Sequence, residues 1–480
     1  MDKLAENGIR LTQFYNSARC CPTRASLLTG LYPQQTGIGL MTNPPGEKSE
    51  DIGIPGYRGQ LNNSNVTLAE VLKSAGYHTY MTGKWHLGVE SDNHPMERGF
   101  DMFYGLTAGA SNHFKPEHPR GVWDCKKQIE VTDSFYSSDN FTTEAIKYIN
   151  GQNNKYPFFL YLAYTAPHWP IQAPQNEVEP SVGKYMEGWE KIRAERFIRM
   201  KEMGIIDNDQ IISPLALDTW SKIGQEKQKE MDLRMAIYAA MVTRMDKNIG
   251  RLVNILKKNN QLDNTVTIFI NDNGACAEGG NYGWGEKELL GKKEGYWLSY
   301  GEGWANASNT PFRFYKHWVH EGGISSPFII HWPAGIDENR KGTLVHSYAF
   351  LPDIMATFLE LGEADYPKEI EGHAITTHSG KSILPLLKND IQIHTEPIFF
   401  EHHGNKAVRL GRYKLVCKWS SENENNWELY DIENDRSEIN NLAKSNSKLL
   451  QELLQQYEIW ANEKGVLPYS EVLKIKAEKK

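Results

Sequence analysis

What most constrains this chain is an alternation of two patterns. Short apolar runs rich in β-branched and aromatic residues take turns with helical stretches from the first residues to about residue 390. Asp2 to Asn7 reads as a short helix and Ile9 to Tyr15 as a strand. Val66 to Ser74 reads as a helix stopped by Gly76, and Tyr77 to Met81 as the strand after it. Phe141 to Ile149 reads as a helix before a buried strand, Pro157 to Tyr164. One long helical pattern, Gln225 to Lys258, precedes Thr265 to Ile270, a run suited to a central parallel strand. Pro327 to His331 is a further strand and Ser347 to Leu361 a further helix. Such alternation predicts an α/β domain over 1–390, with a large mixed, mostly parallel sheet flanked by helices.

From about Pro397 the pattern changes. PIFFEH, KAVRL, RYKLVCKW and WELYDI are short strand-like runs with tight connections, followed by a helix from Ser447 to Ala461. This predicts a C-terminal subdomain over 391–480, a four-stranded antiparallel sheet plus a helix.

Composition narrows the function. The chain has 480 residues, 53 basic and 60 acidic, for a net charge of -7. No basic excess points to nucleic acid. No apolar run approaches the ~20 residues of a membrane span. Five cysteines, at 20, 21, 125, 276 and 417, are too few and too scattered for a disulfide framework. The opening MDKLAENGIR is charged from its second residue, unlike a signal peptide.

Five segments carry chemistry. In Cys20-Cys21-Pro22-Thr23-Arg24, continuing to Leu28-Thr29-Gly30, a helix starts with Pro22 in its first turn. Cys20 then sits at the positive end of a helix dipole, and Arg24, one turn on, can point back to it. Alone, such a cysteine is an ordinary buried thiol. In Gly83-Lys84-Trp85-His86-Leu87-Gly88, Lys84 and His86 alternate on an extended backbone and share one side. Ala166-Pro167-His168-Trp169-Pro170 follows a buried strand, where loops of open α/β sheets carry function. Asn271-Asp272-Asn273-Gly274 ends another strand and offers hard oxygen ligands suited to Ca²⁺ or Mg²⁺. Pro311-Phe312-Arg313 through Lys316, ending in Glu321-Gly322-Gly323, is the fifth. A surface lysine, a rigid proline turn or an N-D-N-G turn would account for any one of the last four taken alone.

In this order and wording the five segments resemble the sulfatase family, a branch of the alkaline phosphatase superfamily, with HWVHEGGI closest to bacterial arylsulfatases. Glu401-His402-His403-Gly404-Asn405 and Trp427-Glu428-Leu429-Tyr430-Asp431 extend the resemblance to about Ala461. It implies a sulfuric ester hydrolase in which a maturation enzyme oxidises Cys20 to formylglycine, the nucleophile. It implies that Lys84 binds a sulfate oxygen and that His86 is the base breaking down the sulfated intermediate. It gives His168 the sulfate and the leaving oxygen, Lys316 the rest of the cationic clamp and Arg24 a place with them around the sulfate oxygens. Asp272, Asn273 and residue 20 would ligate a divalent cation, Ca²⁺ or else Mg²⁺. His317 and His320 are left open as supporting residues, pocket wall or plain packing.

One departure stands out. The family opens with a strand ending in an Asp-Asp pair that supplies two more cation ligands, and no such pair occurs in this sequence. Met1-Asp2-Lys3-Leu4-Ala5 resembles the tail of that opening segment. The expectation is a chain lacking its first strand, with a gap in the sheet, exposed edges, weak metal binding and impaired activity. The longer gene product would be active and periplasmic or secreted. Two rival readings remain: a phosphonate monoester or phosphodiester hydrolase of the same superfamily, and a non-catalytic binding protein on the same fold. The substrate (aryl, glycan or steroid sulfate) stays open. Loops Met41 to Asn63, Ala108 to Asp139 and Glu278 to Ala307 are the expected pocket walls. Tyr282, Trp284, Tyr296 and Trp304 are candidates to stack on a substrate ring.

Overall fold

The computed structural model describes the chain apart from residues 45, 46, 48, 49, 90, 152–155, 216 and 480; four of these fall in the 41–63 loop named above. A short helix α1 (Asp2–Glu6) leads into β1 (Ile9–Tyr15), and α2 (Cys20–Thr29) follows. The next strands are β2 (His78–Lys84), β3 (Met102–Leu106), β4 (Val122–Asp124), β5 (Lys127–Ile129) and β6 (Phe158–Ala163). After the long helix Gln225–Lys258 come β7 (Thr267–Ile270), β8 (Ser325–His331), β9 (Leu344–Val345) and β10 (Ala349–Phe350). A two-residue-strand hairpin, β11 (Glu369–Ile370) and β12 (His373–Ala374), precedes β13 (Ile398–His402), β14 (Asn405–Leu410), β15 (Tyr413–Cys417) and β16 (Trp427–Asp431).

The mixed α/β architecture is present, in two five-stranded sheets. In one, β1 lies between β10 and β8, with β7 beyond β8 and β9 also on β1. β8 runs antiparallel to both β1 and β7, while β9 and β10 run parallel to β1. In the other the order is β5-β4-β3-β2-β6, with β2 parallel to both β3 and β6. β6 and β7 are outer strands. Their side chains are half-buried except for Ala163, although FFLYLA and TIFI read as fully buried runs. The two outer strands stand close: Arg24 donates to Tyr161 of β6 at 3.3 Å and to Asp272, just past β7, at 2.8 Å.

The main core lies between α2 and these sheets, where Phe14, Ala25, Leu28, Met81, Trp85, Phe328 and Ile330 are buried together. β13 to β16 form the expected antiparallel sheet, and the helix Ser447–Glu463 covers it with Leu453, Tyr457 and Trp460. A last helix, Tyr469–Glu478, was not foreseen. Among the described residues no helix is long and apolar enough to cross a membrane.

Candidate active site

The chain leaves β1 through a turn that fixes where α2 begins. Asn16 accepts from the Ala18 amide at 2.7 Å and donates to Ser326 at 2.6 Å, while Ala18 takes a left-handed φ of 60°. The His317 amide donates to the Ala18 carbonyl at 2.8 Å. Cys20 is then the first helical residue, 2% exposed, and Gly30 at φ 72° ends the helix. Arg24 does not simply fold back on Cys20. Its guanidinium bridges the Lys84 carbonyl at 2.6 Å and the Asp272 carboxylate, tying α2 to the ends of β2 and β7.

Lys84 is the last residue of β2 and is 2% exposed. Gly83 before it is required by close approach: a Cβ there would stand 2.0 Å from the Ala163 carbonyl oxygen. The expected alternation of Lys84 and His86 on one extended backbone does not occur. His86 has φ 63°, so the chain turns out of the strand there and brings the ring round by a different path. His86 Nε2 lies 3.1 Å from Cys21 Sγ and 2.9 Å from the Thr42 carbonyl. One ligand atom each from Cys20, Cys21 and His86 lie within 4.8 Å of one another.

His168 and Lys316 come from opposite sides and meet. His168 Nδ1 bonds the Trp169 carbonyl at 2.7 Å, which makes it the protonated nitrogen and leaves Nε2 to accept from Lys316 Nζ at 3.0 Å. Lys316 also lies 3.3 Å from Glu278, which pairs with Arg19 at 3.2 Å and accepts from the Trp169 indole. Glu278, Arg19 and His113, whose ring reaches the His168 carbonyl at 3.1 Å, escaped the sequence reading. Arg19 borders the cysteine motif and could have been flagged by that; Glu278 and His113 stand in long loops with no pattern to mark them.

The electrostatics favour an anion. Four cations (Arg19, Arg24, Lys84, Lys316) face two carboxylates (Asp272, Glu278), and among the described residues Lys84 forms no ion pair. A hydrogen bond from Cys21, helped by Lys84 and His86, holds the Cys20 thiol well below the usual range in spite of burial. Burial lowers Lys84, and burial with the Lys84 charge brings His86 down to about 4. His168 is driven well below the imidazole range by burial and then by Lys316 and Lys84. Glu278 stays ionised despite burial because Lys316 and Arg19 adjoin it.

Beside His86 opens a cavity of about 600 Å³ whose lining includes Asn112, Lys115, Arg120, Lys293 and Tyr296. These residues come from two of the three loops expected to form the pocket, and Glu47 adds the third. A Cβ on Gly109 would lie 2.8 Å from the His86 ring and 3.4 Å from Arg120, so both flank one spot. Trp169, Trp284, Tyr296 and Trp297 cluster next to His168, with ring centroids of Trp169 and Trp297 5.0 Å apart and Trp297 58% exposed. Trp304, by contrast, is 0% exposed and belongs to the core with Trp189 and Trp220.

Known proteins give this geometry its context. A sulfatase family model matches residues 1–364, and a model described as N-sulphoglucosamine sulphohydrolase, C-terminal, matches 312–462. An uncharacterized sulfatase of Schizosaccharomyces pombe is 33% identical, with 97% of this chain and 89% of its own length covered. An arylsulfatase of Klebsiella aerogenes is 33% identical over 81% of this chain and 84% of its own. The crystal structure of Ps i-CgsB in complex with k-i-k-neocarrahexaose superposes with a TM-score of 0.69 at 26% identity, covering 96% of this chain and 86% of that one. The fold likeness extends to a phosphonate monoester hydrolase of Agrobacterium radiobacter at TM-score 0.56 and 16% identity, covering 97% of this chain and 90% of that one. Fold alone therefore does not separate the two chemistries; the two 33% identical relatives and the family models do. The chain belongs to the sulfatase family and is a sulfuric ester hydrolase.

Proposed function

We propose that this enzyme cleaves sulfate monoesters at residue 20 after oxidation of Cys20 to formylglycine, with Arg24, Lys84, His86, His168 and Lys316 as its working side chains. The observation that supports this is their convergence, from positions 20 to 316, on one buried, cation-rich spot. Formylglycine fits there. The side chain stands at the first turn of a ten-residue helix, where an anion is favoured, within reach of the Lys84 charge and of His86. Hydrated formylglycine supplies a hydroxyl nucleophile and can return to the aldehyde.

The chain's own groups divide the remaining work. Lys84 and Lys316 hold the sulfate oxygens as charge builds on them, in a buried site where such contacts are strong. Lys316 and His168 share a proton between Nζ and Nε2, and that proton goes to the leaving oxygen. His86, neutral above about pH 4, accepts a proton from the residue 20 side chain. Asp272 fixes Arg24, and Arg24 fixes the end of β2 that presents Lys84.

The family also works with a metal ion, and the residues here meet that need only in part. Asn273 Oδ1 is buried without a hydrogen-bond partner, as a free oxygen ligand would be. Asp272, however, is engaged twice by Arg24. Two side-chain oxygens fall well short of the six to eight that Ca²⁺ takes or the six of Mg²⁺. The described residues of this chain do not make a hard-cation shell.

For substrate we infer a glycan sulfate. The cavity beside His86 is lined chiefly by polar and charged groups, and an exposed aromatic cluster adjoins it, a pairing suited to a sugar's hydroxyls and its apolar face. The related Ps i-CgsB was crystallised with a neocarrahexaose. The test is turnover of sulfated oligosaccharides, an aryl sulfate and an aryl phosphodiester by the wild type and Cys20→Ala, with intact-mass analysis of position 20. The expected result is loss of all sulfatase turnover in Cys20→Ala, unchanged circular dichroism, and formylglycine in the active wild type at ~18 Da below cysteine, or at the cysteine mass when hydrated. Sulfatase activity surviving in Cys20→Ala would sink the proposal.

A further inference from the structure

Three imidazoles that the reaction leaves unused gather where the C-terminal sheet meets the catalytic loop. His317 directly follows Lys316, while His402 and His403 lie at the β13–β14 turn. Ring centroids are 5.5 Å apart for His317 and His402, 5.1 Å for His317 and His403, and 4.0 Å for the stacked pair His402 and His403. One ring nitrogen from each lies within 4.8 Å of the other two.

The decisive feature is what these nitrogens lack. His402 is 0% exposed, and neither of its ring nitrogens has a hydrogen-bond partner; His403 Nε2 is likewise buried and unpaired. A neutral imidazole carries one donor and one acceptor, and burying both unpaired is unfavourable. Native proteins resolve such orphans with a bound ion or an ordered water. Three neutral imidazoles with one nitrogen each inside 4.8 Å of the others can each turn a lone pair to a single ion.

We propose that His317, His402 and His403 form a binding site for a borderline transition-metal ion, zinc in the first instance, bordering the catalytic centre but sharing no ligand with it. Imidazole is a preferred zinc ligand, and three of them leave a fourth position for water. Tetrahedral zinc needs nitrogens ~3.3 Å apart, so each moves by about 1 Å from the present spread. Burial keeps all three rings neutral, the state that binds metal, with His317 at about 4. The cations facing the cluster are Arg19, Lys316 and Lys476. Glu278 pairs with the first two and Glu50 with the third, so their charge is already met. A metal here ties the β13–β14 turn to the loop carrying Lys316 and, through the His317 amide on Ala18, to the residues just before Cys20.

The experiment strips the full chain with a chelator and titrates it with Zn²⁺ by calorimetry, using Co²⁺ as a spectroscopic probe. Cys20, Cys21 and His86 form a second candidate cluster, so Cys21→Ser is titrated alongside. Wild type and Cys21→Ser should each bind one Zn²⁺ at the histidines, show the intense visible absorption of tetrahedral Co²⁺, and gain about 2–3 °C in Tm at 100-fold excess over Kd. His402→Gln and His317→Gln should bind at least tenfold more weakly and lose both signals. His403→Gln, at a half-buried position, serves if either fails to fold. Overturning results are zinc-free wild type under these conditions, or an affinity unchanged by the histidine substitutions; either would leave a water in the cluster.

Discussion

Two buried lysines show how differently one residue type is used in this molecule. Lys414, on β15, is 0% exposed and lies 3.0 Å from Glu321 and 2.9 Å from Glu438. Arg436 stands 3.6 Å from Glu321, Tyr15 donates to the same carboxylate at 3.1 Å, and Arg409 stacks 4.3 Å over Tyr348. Lys84 is as deeply buried and has no carboxylate paired with it among the described residues. The first cluster settles its charges internally and is structural. The second leaves a buried ammonium without a carboxylate partner, and its cost in stability is offset further when an anionic group arrives.

The sharpest way to break this contrast is to remove each lysine in turn. Lys84→Met should lower kcat on a sulfate ester by roughly 10³-fold, about 4 kcal/mol of transition-state stabilisation, while leaving Tm unchanged or raised. A large fall in Tm would show that Lys84 supports the fold as Lys414 does. Lys414→Met takes the ammonium from two buried carboxylates, Glu438 and Glu321, of which Glu321 keeps Arg436, and should cost about 3 kcal/mol in urea denaturation, with turnover per folded molecule unaltered. A cost near zero would mean the network is not holding the sheet.

A smaller effect sharpens the picture through pH. Glu428 pairs with Arg313 at 3.2 Å and His320 at 3.3 Å, and these partners outweigh burial and hold it down to about 2. Since its folded value lies below the unfolded one near 4.5, its stabilisation is complete above about pH 4.5 and fades as pH falls through about 2. Glu428→Gln should cost about 2 kcal/mol between pH 5 and 7. The gap to wild type should roughly halve by pH 3, as read from urea midpoints. A gap that widens in acid would reverse the assigned sign.

Much of this was legible in the order of residues, because local signals were strong. Ile9 to Tyr15 forms the strand expected, Cys20 opens its helix, and Lys84, His86, His168, Asp272 and Lys316 all stand in one region. What escaped is tertiary. Strands of two or three residues, such as β4, β9 and β10, are too short to show a period, so the division into two sheets had no local sign. The positive φ of His86 and His317 is imposed by surroundings and not by their side chains. Trp284 and Trp304 look alike in sequence, yet one is 37% exposed and the other 0%.

The pairing of β1 has a consequence in time. Among the described residues its strand partners are β8, β9 and β10, all more than 300 positions further on. At a ribosome adding about 5–20 residues per second, that strand waits roughly 15–60 seconds for its partners. Throughout the wait the cysteine five residues beyond it has no core to shelter in. The oxidation of Cys20 proposed above would find that sulfur open while the chain is still being made, and buried once the late strands arrive.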